Sequence, residues 1–208
     1  MADDQHDVIE LLRKPSSYGG AVERVDVIET HASFVFLAGD RAYKLKRAVK
    51  YSYLDFSTAE RRRGACEAEF ALNRRTAPDL YLEIRTLALL PNGRVGFATD
   101  EPAIDWLVVM RRFDQAMLFD ALAGTGGLTQ PLMAELAGRI AAFHQAAERR
   151  PNQGDAAALA AVVETNHGCL MTAREAGFEP KRIIEVRQRS LERIASVSAL
   201  LEIGRAHV

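Results

Sequence analysis

Cysteine is scarce in this 208-residue chain: Cys66 and Cys169 are its only two. They lie far apart and lack the paired spacing of a zinc site or a disulfide framework, so both thiols are expected to be buried and reduced. Long apolar runs are missing too. Nothing approaches the roughly 18 residues a membrane-spanning helix needs. The opening Met1-Ala2-Asp3-Asp4-Gln5-His6-Asp7 is acidic and polar, where a secretory signal would be basic and then apolar. A cytoplasmic protein with no membrane partner is expected. An excess of one charge is likewise absent, with 27 Lys and Arg against 28 Asp and Glu. That balance gives no overall field to draw the chain onto nucleic acid. There is no Gly-x-x-x-x-Gly-Lys-Ser/Thr phosphate loop, no repeat and no low-complexity segment.

What is present is an ordered change of hydrophobic period. Residues 7–13 read as a short helix closed by Pro15. Strand-like runs follow at Val25–Glu29, Ser33–Leu37 and Arg41–Arg47, the last two joined by Gly39-Asp40, a tight-turn signal. Ser57-Thr58-Ala59-Glu60 fits a capping box, with Ser57 capping a helix that runs to about Thr76, before Pro78. Further strands are expected at Leu80–Leu90, Val95–Ala98 and Trp106–Phe113, with Pro91-Asn92-Gly93 as a turn. Beyond Phe113 the pattern is helical. One helix is capped by Thr129, with Leu132, Leu136, Ile140 and Phe143 on one face. A second, capped by Asp155, ends near Gly177. A third opens at Pro180, with Ile184, Leu191, Ile194, Ala195 and Leu201 on one side, and Gly204 stops it before Ala206-His207-Val208 turns extended. The expected fold class is α+β, with a strand-rich part over 1–113 and a helical part over 114–208.

Alternation on the third strand puts Ala42, Lys44 and Lys46 on one face. A small residue two places before a lysine leaves room for a flat ring while the ammonium reaches on to phosphates. Protein kinases use that pattern, and there the lysine pairs with a helix glutamate. On the helix that follows, Ala65, Cys66, Glu69, Leu72, Asn73 and Thr76 make one stripe. A glutamate buried there unpaired would be costly, and Lys44 would relieve the cost. The plainer alternatives are solvated strand lysines and a rim glutamate facing water. Glu67, near Arg63 and Arg74, reads as a solvated charge pair. The run Arg61-Arg62-Arg63 reads as a solvated face or a phosphate or partner contact. His31 reads as a turn histidine or a phosphate contact, and His144 as a core residue bonded to backbone.

Three segments together, Glu29 through Lys46, Leu54-Asp55-Phe56-Ser57-Thr58 and Leu72 through Leu82, resemble a bacterial group of aminoglycoside-phosphotransferase-family proteins. The resemblance covers about residues 8–208. It implies a protein-kinase-like two-lobed fold: an N-lobe antiparallel sheet with one helix, then a partial helical C-lobe. It implies that Lys44 is the ATP lysine and Glu69 its partner, with Ala42 beside them. It also implies that Thr30–Ser33 turns over the phosphates with Ser33 and Val35 against the nucleotide, and that Met110, Arg111 and Arg112 lie on the hinge strand, whose backbone bonds adenine. The turn Thr30-His31-Ala32-Ser33 has no glycine, which departs from the Gly-rich kinase loop. In that group a His-Gly-Asp catalytic loop and a magnesium-binding aspartate follow the Gly-Arg-Ala-His-Val-like segment, so the magnesium ligands are expected beyond Val208 and the chain is expected to be a fragment.

The resemblance therefore implies the ATP-binding part of a kinase, a transferase acting on an unidentified small-molecule acceptor. The alternative is a non-catalytic kinase-like module serving the C-terminal P-loop ATPase domain to which such proteins are often fused. Nucleic-acid binding through the Lys181–Arg193 stretch is disfavoured, because Glu185 and Glu192 interrupt it and no aromatics interleave it.

Overall fold

The structure, a computed structural model, describes residues 5–98, 100–148, 154–173 and 177–201. The chain divides into two compact units, Met1–Gly127 and Leu128–Val208. Among the described residues no helix is long and apolar enough to cross a membrane. The architecture is mixed, with an antiparallel sheet in the first unit and helices in both.

The first unit starts with helix α1 (His6–Leu12) and a 3-10 turn at Pro15–Tyr18. Strands β1 (Val25–Glu29), β2 (Ser33–Ala38) and β3 (Arg41–Lys46) follow, then a small hairpin of β4 (Lys50–Tyr51) and β5 (Leu54–Asp55). Helix α2 (Ala59–Asn73) precedes β6 (Tyr81–Leu89), β7 (Val95–Phe97) and β8 (Ala103–Arg111). The main sheet has the order β1-β2-β3-β8-β6-β7, and all its pairings are antiparallel. At the β2–β3 turn Gly39 sits at φ +59°, the left-handed conformation that glycine adopts without Cβ strain.

Alternation divides the sheet's work. Phe34, Phe36, Tyr43, Leu45, Leu107 and Val109 form one face, packed with Val8 and Leu12 of α1 into the buried core. Their alternates, including Val35, Leu37, Ala42, Lys44 and Met110, line a cavity instead. Strand β2 is buried at nearly every position, which is why it reads as a continuous apolar run rather than an alternating one.

The helix start at 57–60 needs a correction. Thr58, not Ser57, is the N-cap of α2, and its side chain accepts the Arg61 amide. Ser57 is drawn off because its hydroxyl and amide both donate to Asp55 Oδ1. A nearby carboxylate outcompetes the helix end for that hydroxyl.

A 3-10 turn at Gln115–Met117 and helix α3 (Phe119–Gly124) close the first unit. The second contains α4 (Gln130–Ala146), α5 (Ala156–Thr172), α6 (Pro180–Ser196) and α7 (Ser198–Leu201). Thr129 and Asp155 cap α4 and α5 by accepting the amides of Leu132 and Ala158, as their side chains predict. Helix α5 stops at Thr172, short of Gly177. On α6 the expected stripe is met at Leu191 and Ile194, both half-buried, and missed at Ile184 and Ala195. Ile183 is buried at 7% exposure, whereas Ile184 is 49% exposed and Ala195 also faces solvent. Ile183 faces Val163 and Leu170 of α5, and beside it the partly exposed Arg187 donates to Glu164 at 2.8 Å. Gly204 and the segment 206–208 lie outside the described residues.

Candidate functional site: a two-lysine cavity on the sheet

The cavity occupies about 790 Å³ and is built entirely from the first unit, a size suited to a small organic ligand. Its floor follows the β2–β3 register, which sets Leu37 opposite Ala42, Val35 opposite Lys44 and Ser33 opposite Lys46. Met110 stands beside Ala42 on the neighbouring strand. One end is therefore apolar (Leu37, Ala42, Met110), and the other is cationic and polar (Lys44, Lys46, Ser33).

Glu69 reaches this polar end from α2. Lys44 Nζ donates to its Oε1 at 2.8 Å, and Lys46 Nζ donates to its Oε2. The side chain of Glu69 is 12% exposed and that of Lys46 only 8%. Burial alone would raise the Glu69 carboxyl, but the hydrogen bonds and charges of the two lysines outweigh it and hold the carboxyl below its ordinary value. The Lys46 ammonium also lies 5.4 Å from the Phe56 ring centroid, a favourable cation–π arrangement. Tyr81 lines the cavity, and its hydroxyl is pushed up by burial and by the charge of Glu69.

The turn above the cationic end closes on itself. The Thr30 amide donates to the Ser33 carbonyl, and the Ser33 amide donates to Thr30 Oγ1. His31 and Ala32, at its tip, take no part in that bonding. Arg47, just past the end of β3, braces the turn, with its Nη1 on the Thr30 carbonyl and its amide on the Ala32 carbonyl. At the mouth, Tyr51 donates to the His31 carbonyl at 3.2 Å. The Tyr51 and Tyr53 rings stack at 5.6 Å and 9°.

Ala42, Ser33, Val35, Lys44, Met110 and Arg112 all line the cavity, with Glu69 holding the two lysines. Arg111 does not line it: its amide donates to the Leu80 carbonyl. The Arg112 amide donates to Asp40, and its guanidinium lies 3.5 Å from Asp26. Tyr53, His31 and Phe113 join the lining without having been singled out as a group. The Tyr-Ser-Tyr alternation at 51–53 is the sequence signal for the tyrosines of this rim.

One expectation about this helix fails. Within Arg61-Arg62-Arg63, Arg63 is solvated and pairs with Glu67 at 2.8 Å, and Arg61 pairs with Asp55. Arg62 is fully buried. Its Nε lies 3.0 Å from both carboxylate oxygens of Asp105, and its Nη1 donates to the Phe56 carbonyl. Gln5 completes the cluster, donating to Asp105 and to the Lys46 carbonyl and accepting from the Ala48 amide. Arg62, Cys66 and Glu69 share one stripe of α2, so this cluster sets the helix position that delivers Glu69 to the lysines. Among the described residues no group of three or more His, Cys, Asp or Glu side chains is placed to hold a metal ion.

Three similar proteins are mycobacterial. An uncharacterized protein of Mycobacterium bovis and uncharacterized proteins of two Mycobacterium tuberculosis strains are each 38% identical to this chain over 139 residues. The matched region is 65% of this chain and 26% of each relative, so the chain spans about a quarter of their length. No protein-family profile matches the chain, and no solved structure does.

Proposed function

We propose that the cavity is the nucleotide site of an ATP-dependent phosphotransferase of protein-kinase-like, two-lobed fold, related to the aminoglycoside phosphotransferases. The observation that carries this reading is the Lys44–Glu69 pair at the floor of a cavity that is apolar at one end and cationic at the other. A flat ring fits the Leu37, Ala42 and Met110 end, where the nearby Arg112 guanidinium is paired with Asp26. Phosphates fit the lysine end, where preorganised ammonium groups need no rearrangement to meet negative charge. Glu69 orients Lys44, and the Arg62–Asp105–Gln5 cluster holds the helix that carries Glu69. When bound, ATP would supply the phosphoryl group for a small-molecule acceptor. The residues of this chain hold and orient, and none is assigned as a general base.

A non-catalytic kinase-like module is the second reading, and one observation favours it. The amides of Thr30, Ser33, Arg111 and Arg112 are all committed to intramolecular hydrogen bonds, which removes donors that a nucleotide's phosphates and ring would use. Thermal melting with ATP and with adenosine separates the two. Stabilisation by ATP well above that by adenosine supports the nucleotide site, and no stabilisation by either supports the module.

A further inference from the structure

The polar end of the cavity holds more positive charge than its carboxylate neutralises. Two ammonium groups, Lys44 and Lys46, share the single carboxylate of Glu69, which leaves one net positive charge at the floor. Among the described residues no aspartate or glutamate lines the cavity. Lys46 is the more buried of the two lysines, yet its side chain still reaches the cavity. Burying a second ammonium against a half share of one carboxylate is unfavourable unless something else supplies negative charge.

The geometry points to Lys46 as a second anion-binding cation, making this a site for ligands with at least two adjacent anionic groups, a di- or triphosphate rather than a monophosphate. The inference rests on the nucleotide reading and specifies what the polar end selects. Lys44 and Lys46 are two residues apart on β3, so their side chains leave the same face about 7 Å apart at the backbone and converge on the two oxygens of Glu69, which sets the ammonium groups side by side. Each can meet a different phosphate while Glu69 keeps both extended. Ser33, directly across from Lys46, adds a hydroxyl beside the second position. With Lys46 neutral, Glu69 cancels Lys44 and the floor has no net charge.

The test is a titration of the full chain in EDTA with inorganic triphosphate, ATP and AMP, for wild type, Lys46→Met, Lys46→Arg and Lys44→Met. Circular dichroism and melting establish that each variant is folded. Wild type is expected to bind both triphosphates at least about tenfold more tightly than AMP. Lys46→Met is expected to bring that ratio close to one, and Lys46→Arg to restore most of it. Lys46→Met binding triphosphates like wild type, with Lys44→Met impaired, would overturn the inference and make Lys46 a structural partner of Glu69. Should Lys46→Met fail to fold, Lys46→Arg decides: a triphosphate preference absent from both wild type and this folded variant refutes it. Inorganic triphosphate binding as well as ATP would keep the anion site but defeat the nucleotide reading. Neither binding to wild type would defeat both.

Discussion

Arg62 and Asp105 form a buried ion pair, each side chain only 1% exposed, that ties α2 to β8. Arg62→Met leaves the Asp105 charge with Gln5 and its own backbone, so a loss of about 3–5 kcal/mol is expected. The double change Arg62→Met with Asp105→Leu is expected to recover much of it, because no charge is then stranded. Urea unfolding of the three proteins is the check, and a single variant as stable as wild type would contradict the assignment.

The pair also has a pH signature. Burial raises the Asp105 carboxyl above its ordinary 3.8, and its contacts with Arg62, Gln5 and the Trp106 amide offset this only in part. A carboxyl raised by folding contributes stability below its unfolded value and loses it as pH rises through the folded value. Removing Arg62 takes away the strongest opposing contact. The Arg62→Met deficit is therefore expected to be larger at about pH 8 than at about pH 5. Equal deficits at both would show that the Asp105 charge is not what the guanidinium compensates.

Glu69 carries the opposite sign. Its carboxyl is lowered from an ordinary 4.5 by the two lysines, so its contribution is complete above that value and fades as pH falls through the lowered one. The stability gap between wild type and Glu69→Gln is expected to be widest near neutrality and to narrow with acidification below 4.5. A gap that stays constant down to about pH 3 would mean that the pair is not ionic.

The two thiols differ in kind. Cys66 is fully buried, and burial pushes its thiol up to about 12. Cys169 is exposed, contrary to the expectation that both are buried; its helix α5 has only half-buried and exposed positions. Native protein is expected to take up one equivalent of a maleimide quickly, and Cys169→Ser to take up none until denatured. Rapid double labelling of folded wild type would contradict the burial of Cys66.

Lys44 and Glu69 are legible in the sequence because each lies on a local repeat, one of period two and the other of period 3.6, and because each would be costly without a partner. Arg62 is not legible, since it stands between two solvated arginines and its partners Asp105 and Gln5 are remote in the chain. Local composition describes its neighbours correctly and misses it. Ser57 fails as a cap for a similar reason: the competing Asp55 carboxylate acts through a hairpin that the pattern at 50–55 does not announce. Ile184 fails because its neighbour Ile183 takes the position packed against Val163 and Leu170 of α5, and two adjacent isoleucines give the pattern no way to choose between them.

The proposed nucleotide site is tested most directly by calorimetric titration of ATP into wild type and a folded Lys44→Ala variant. Saturable one-to-one binding to wild type, weakened at least about tenfold in the variant, is the expected result. Equal affinity in the two proteins, or no heat in wild type at millimolar ATP, would contradict it.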